Sequence, residues 1–220
     1  MVVAPILNGI GEELSIRTAR LADLLTVYPA VVGIFALVAG PISDRVGRRR
    51  VLIWGSGIMT GALLLHGIAW DYWSLMSFRA MAGVGGGVLS GAAVALVGDF
   101  FPSKKRGWAN GWMMTGLAVG QIVGIPAGTL LAGAFGFRMP FMVLAGVSAL
   151  AVLSVVLWVP FIDPAGERLS LGSAIRGYGA LLKRSDAAIA SLAFVAVCFS
   201  IASFVSYLPA WLETDFGFTP

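Results

Sequence analysis

At 220 residues, 58% hydrophobic and only 12% charged, the sequence reads as an integral membrane protein, since soluble domains carry about 25% charged residues. The net charge of +4 gathers in short segments between apolar runs, which fits a membrane topology and gives no reason to expect nucleic acid as a partner. A lone cysteine, Cys198, excludes an intramolecular disulfide, and its apolar run predicts a buried thiol.

Residues 1–10 are apolar but cover only half of the roughly 20 residues that a crossing helix needs. Glu12, Glu13, Arg17 and Arg20 follow, so the opening reads as a shortened first helix. Longer apolar runs then predict helices over 18–41, 51–70, 73–101, 108–135, 141–159 and 187–212. The expected fold class is therefore all-α and polytopic: six complete transmembrane helices behind a truncated one. Three parts are expected: a helical half at 1–162, a linker at 163–186 and a last helix with its tail at 187–220. Within the linker, Leu171, Ile175, Tyr178 and Leu182 recur at helical spacing beside Arg176, Lys183 and Arg184, the pattern of an amphipathic helix on a membrane surface.

Between the runs before residue 40 and after residue 50 lies G-P-I-S-D-R-V-G-R-R-R, predicted to be a short, tight, basic turn. The same side collects Lys104, Lys105, Arg106, Lys183 and Arg184, whereas the other side holds only Arg17, Arg20 and Arg138. Lys and Arg concentrate in cytoplasmic loops, so residues 40–50 are expected in the cytoplasm of a cell that carries the chain in its inner or plasma membrane.

The pattern G-x-x-x-D-R-x-G-R-R-R resembles the signature loop between helices 2 and 3 of the major facilitator superfamily of transporters. The resemblance covers nearly the whole chain. It implies the first half of a twelve-helix bundle plus the first helix of the second half, hence a fragment whose expected partner is the missing C-terminal half. It also implies secondary transport of a small solute by alternating access, in the manner of the drug/proton antiporter-like branch, with protons as the coupling partner and export as the direction. Uptake of a sugar or organic acid, and a transporter-like sensor that moves nothing, are the alternatives. No enzyme activity, cofactor or metal is implied, and no G-x-x-x-x-G-K-[ST] is present for ATP drive. The residues carried over to gating are Gly40, Asp44, Arg45, Gly47, Arg48 and Arg49, and similar proteins join the aspartate and the fourth residue after it to an acid on helix 4, here Asp99. An interfacial helix-end acid is the plainer reading of Asp99.

Two glycine stripes repeat every fourth residue: Gly83, Gly87 and Gly91, and then Gly116, Gly120, Gly124 and Gly128. Residues four apart share a helix face, and a face without side chains lets another backbone approach. The stripes therefore serve packing, or a surface along which helices rock. The stretch G-x-x-x-G-I-P-A-G is similar to the family's antiporter motif, with Pro126 displaced by one place and the closing glycine pair reduced to one. Arg79 stands within an apolar run, in a segment similar to the family's R-x-x-Q-G-x-G with Ala82 in place of glutamine. The resemblance associates it with proton movement; a charged guanidinium there could face an acid, Asp23 near the outer end of helix 2 or one on the missing part of helix 1, or hold an anionic substrate, while snorkelling to the headgroups is the bland alternative. His66 reads as packing or interfacial, and Gln121, Ser203 and Tyr207 either line a cavity or bond neighbouring helices.

Overall fold

The computed structural model describes residues 3–14, 16–160, 177, 179–180 and 183–216, with side chains at all of these except 3–5, 8, 12, 18–19 and 201–216. Every regular element among them is a helix: α1 (Val3–Glu13), α2 (Thr18–Val46), α3 (Arg48–His66), α4 (Tyr72–Phe100), α5 (Ser103–Phe135), α6 (Arg138–Trp158) and α7 (Ser185–Phe216). The chain forms two compact units, Met1–Leu169 with α1 to α6 and Ser170–Pro220 with α7. Most of the linker, with the residues expected to form its amphipathic helix, lies outside the described residues apart from isolated positions.

Four of the described helices, α2, α4, α5 and α6, are long and apolar enough to cross a membrane. The 19 residues of α3 reach about 28 Å at 1.5 Å per residue, and its first turn is three arginines. Those arginines mark a correction. The segment 40–50 is almost wholly helical: α2 continues through Pro41 to Val46, and α3 starts at Arg48. Gly47 alone breaks the chain, at φ 98° and ψ 135°, a backbone conformation that glycine adopts without a Cβ penalty. Likewise α5 begins at Ser103, not near 108, and carries Lys104, Lys105 and Arg106 in its first turns. Lys and Arg are good helix formers, so charge ends the apolar run without ending the helix. Pro102 stands at the N-cap of α5, where its missing N–H costs nothing. At the other end of the bundle Asp71 caps α4: its side chain accepts from the Ser74 N–H at 2.8 Å, while the Ser74 hydroxyl accepts from the Asp71 N–H.

The packing is organised around α4, which lies against both α2 and α3. A Cβ on Gly83 would come within 2.8 Å of Val31 Cβ, one on Gly87 within 2.7 Å of Phe35 Cβ, and one on Gly91 within 2.8 Å of Ala39 Cβ. Positions 83, 87 and 91 thus match 31, 35 and 39 in rising order, which makes α2 and α4 parallel neighbours in backbone contact. The facing side of α4 meets α3 equally closely, with Gly85 against Gly55 O and Met59 N. α3 in turn packs on α6, where Thr60 Oγ1 and Ser148 Oγ are hydrogen-bonded at 2.8 Å. A core of Ile6, Ile10, Leu21, Leu24, Leu75, Phe137 and Phe141 closes the end away from Gly47. On α7, Cys198 is exposed, not buried as its apolar run suggested; apolar surroundings in sequence do not distinguish a helix interior from a lipid-facing flank.

Candidate functional site

The signature end is built around one guanidinium. Because Gly47 is the only residue between two helices, Asp44 in the last turn of α2 lies directly beside Arg48, the first residue of α3. Arg48 Nη2 pairs with Asp44, Nε donates to Asp99 Oδ2 of α4 at 2.7 Å, and Nη1 donates to Ser43 Oγ and, at 3.4 Å, to Gly40 O. Asp44, Arg48 and Asp99, named from sequence, are therefore brought into one cluster spanning α2, α3 and α4. Both carboxylates are partly open to solvent, so the pairing is screened and its stabilisation is modest. Arg49 reaches elsewhere: its Nη2 donates to Val156 O, at 2.6 Å, near the end of α6. A cation on the carbonyl end of a helix complements the helix dipole. Arg45 is exposed, and Gly40 is half-buried beneath the cluster.

At the other end a second ion pair joins α1 to α6, Glu13 with Arg138, whose Nη2 also donates to Ala69 O at 3.1 Å. Asp23 belongs to this end. It accepts from Tyr72 OH at 3.1 Å, with Arg20 lying 5.5 Å over the tyrosine ring. The expected pairing of Asp23 with Arg79 is absent: Arg79 makes no ion pair among the described residues. Asp23 sits one helical turn nearer the outer end, where the phenol is the closer donor.

Arg79 is only 8% exposed, on the face of α4 that continues the glycine stripe by one turn. Its guanidinium lies 5.5 Å over the Phe141 ring, and Nε and Nη2 are buried with no hydrogen-bond partner among the described residues. A snorkelling arginine would place its charge in water; this one does not. His66 is 1% exposed and stacks on the same ring with centroids 4.7 Å apart. Its Nδ1 donates to Ala62 O at 2.6 Å, one turn back, and Nε2 is buried without a partner among the described residues.

The glycine stripe of α5 has different surroundings. A Cβ on Gly116, Gly120 or Gly124 would meet nothing within 4 Å. Gly128 is buried, Pro126 is exposed within the helix, and Gln121 is half-buried. The side chains of Ser203 and Tyr207 lie outside those described. Sequence reasoning missed Ser43, the Arg49–Val156 bond and the Glu13–Arg138 pair. Opposite charges at matching depth could have suggested the last; a bond to a backbone carbonyl leaves no trace in residue identity.

The family model for the Major Facilitator Superfamily matches residues 1–220. The chain is 29% identical over 219 residues to "Uncharacterized MFS-type transporter YceJ" of Bacillus subtilis (strain 168), covering 99% of this chain and 55% of that protein. It is 32% identical over 163 residues to "Multidrug resistance protein MdtG" of Proteus mirabilis (strain HI4320), covering 72% of this chain and 40% of the relative. A crystal structure of the peptide transporter POT superposes with a TM-score of 0.64 at 19% identity, over 99% of this chain and 44% of that one, a likeness of fold. The chain spans about half the length of the curated relatives it matches. An all-α bundle of membrane-length helices, with this signature at one end and this match along its whole length, belongs to the Major Facilitator Superfamily.

Proposed function

We propose that the chain supplies the gating half of a secondary transporter that exports a small solute by alternating access, coupled to protons, with the signature end in the cytoplasm. The observation that carries this reading is the Arg48 cluster, in which one guanidinium ties the ends of α2, α3 and α4 together through Asp44 and Asp99. A membrane helix bundle needs no such tie for cohesion, because packing alone supplies it. A tie between charged groups at a helix end can be broken and remade, which a gate requires. The distribution of Lys and Arg supports the orientation. Similarity to proteins named for multidrug resistance supports export. Arg79 adds a buried cation with no ion-pair partner among the described residues, to which a carboxylate could be drawn. A protonation event at that acid would then alter the hold on α4.

The test is transport by the full-length protein in everted membrane vesicles. An imposed pH gradient, acid inside, is expected to drive solute uptake into the vesicles, and collapsing it with a protonophore is expected to stop that uptake. Solute binding without any counterflow would instead identify a sensor.

A further inference from the structure

Arg48 commits all three guanidinium nitrogens. Two go to carboxylates on different helices, Asp44 on α2 and Asp99 on α4. Both acids are partly open to water, and a guanidinium held by such acids alone can pivot towards either. The third anchor is of another kind. Ser43 is 1% exposed, and its hydroxyl proton is already committed, because Oγ donates to Gly40 O at 2.8 Å, one turn back in α2. A hydroxyl carries one donor and two lone pairs, so the oxygen left facing Arg48 is an acceptor. It takes the Nη1 proton, and the Gly40 carbonyl behind it, 3.4 Å from Nη1, is a distant second partner.

Other helix serines return to the backbone in the same way, among them Ser90 to Gly87 O at 3.0 Å and Ser56 to Leu52 O at 2.6 Å. Ser43 differs in that its oxygen also receives a charged donor. Its neighbours explain why a small residue is required, since Ala39 one turn back lies against Gly91 of α4 and leaves little room between the helices.

We propose that Ser43 is the positioning residue of the gate: its buried hydroxyl fixes the plane of the Arg48 guanidinium so that Asp44 and Asp99 are engaged together. The proposal rests on reading the cluster as the gate, and the experiment separates the two. In the full-length protein with every native cysteine, Cys198 included, replaced by serine, a single reporter cysteine at the signature end of α5 is labelled in membrane vesicles to give the ratio of outward-facing to inward-open molecules. Ser43→Ala is expected to shift that ratio about tenfold towards the inward-open form, the scale of losing one hydrogen bond to a charged group. Asp44→Asn is expected to shift it in the same direction. In an Arg48→Gln background, adding Ser43→Ala is expected to change the ratio less than twofold, because the group it positions is gone. An unchanged ratio in Ser43→Ala, with a shifted one in Asp44→Asn, overturns the role of Ser43 and leaves the gate standing. A shift of the same size in the Arg48→Gln background also overturns it, since Ser43 would then serve the helix and not the arginine. No shift in Asp44→Asn overturns the gate itself, and this proposal with it.

Discussion

The glycine stripes of α4 and α5 have the same four-residue spacing and opposite surroundings. On α4, each of Gly83, Gly87 and Gly91 has α2 backbone or Cβ atoms where its own Cβ would stand. On α5, Gly116, Gly120 and Gly124 face open space. Spacing fixes which residues share a face, but only the neighbouring helix decides whether that face is filled. The first stripe therefore serves the packing of this unit. The second, apart from buried Gly128, is a face left unfilled by the described residues.

The residue one turn before each stripe sharpens the contrast. It is buried Arg79 on α4 and exposed Trp112 on α5. We expect the largest functional effect at Arg79. In the full-length protein, Arg79→Ala should abolish transport driven by a pH gradient, while Arg79→Lys should retain part of it. Normal transport by Arg79→Ala with its pH dependence intact would reduce Arg79 to a packing residue. On insertion scales a central arginine costs about 2.5–3.5 kcal/mol, so the alanine variant should also fold at least as readily as the parent.

Gly87→Val places branched carbon against Phe35 Cβ and Val32 O, both 2.7 Å from an ideal Cβ, and overpacking of this kind costs about 1–3 kcal/mol. Unfolding of the chain in detergent should show the loss. The unfilled stripe gives the reverse pattern. Gly120→Val should leave the stability of residues 1–220 within about 0.5 kcal/mol, as for a surface change, yet slow turnover of the full-length protein severalfold. Equal destabilisation at both glycines would erase the distinction between the stripes.

The same contrast shows how much of the fold and the site was legible in sequence. Hydropathy located every long helix, because a crossing helix has to be apolar for about 20 residues. It misplaced the ends at Pro41 and before Lys104, because arginine and lysine stop the apolar run and yet propagate the helix. The Gly40–Arg50 pattern points to Asp44 and Arg48, and the family resemblance adds Asp99 on helix 4; these three lie together. Nothing in residue types told that Asp23 would bond Tyr72 and leave Arg79 without an acid among the described residues, since depth along two separate helices is not written in either. Nor could spacing tell that Arg49 would reach the Val156 carbonyl.

The smallest effect is expected at the cap of α4, the helix that carries the filled stripe. The Ser74 N–H donates to the Asp71 carboxylate, and this bond, with the Ser74 hydroxyl nearby, holds its pKa below the ordinary 3.8. A depressed folded value means that this contribution is fully present above the unfolded value and is lost as pH falls through the folded one. Asp71→Asn should therefore leave less acid sensitivity below about pH 4, seen as a smaller fall in melting temperature between pH 5 and pH 3.

That the Asp44–Arg48–Asp99 cluster holds the signature end shut is the proposed role of this site. It is tested most directly by distances between spin labels across that end in the full-length protein, with and without Asp44→Asn. The parent is expected to be dominated by the short, closed distance and the variant to shift towards the long, open one, with solute binding preserved. Identical distance distributions in the two proteins, together with equal turnover, would contradict it.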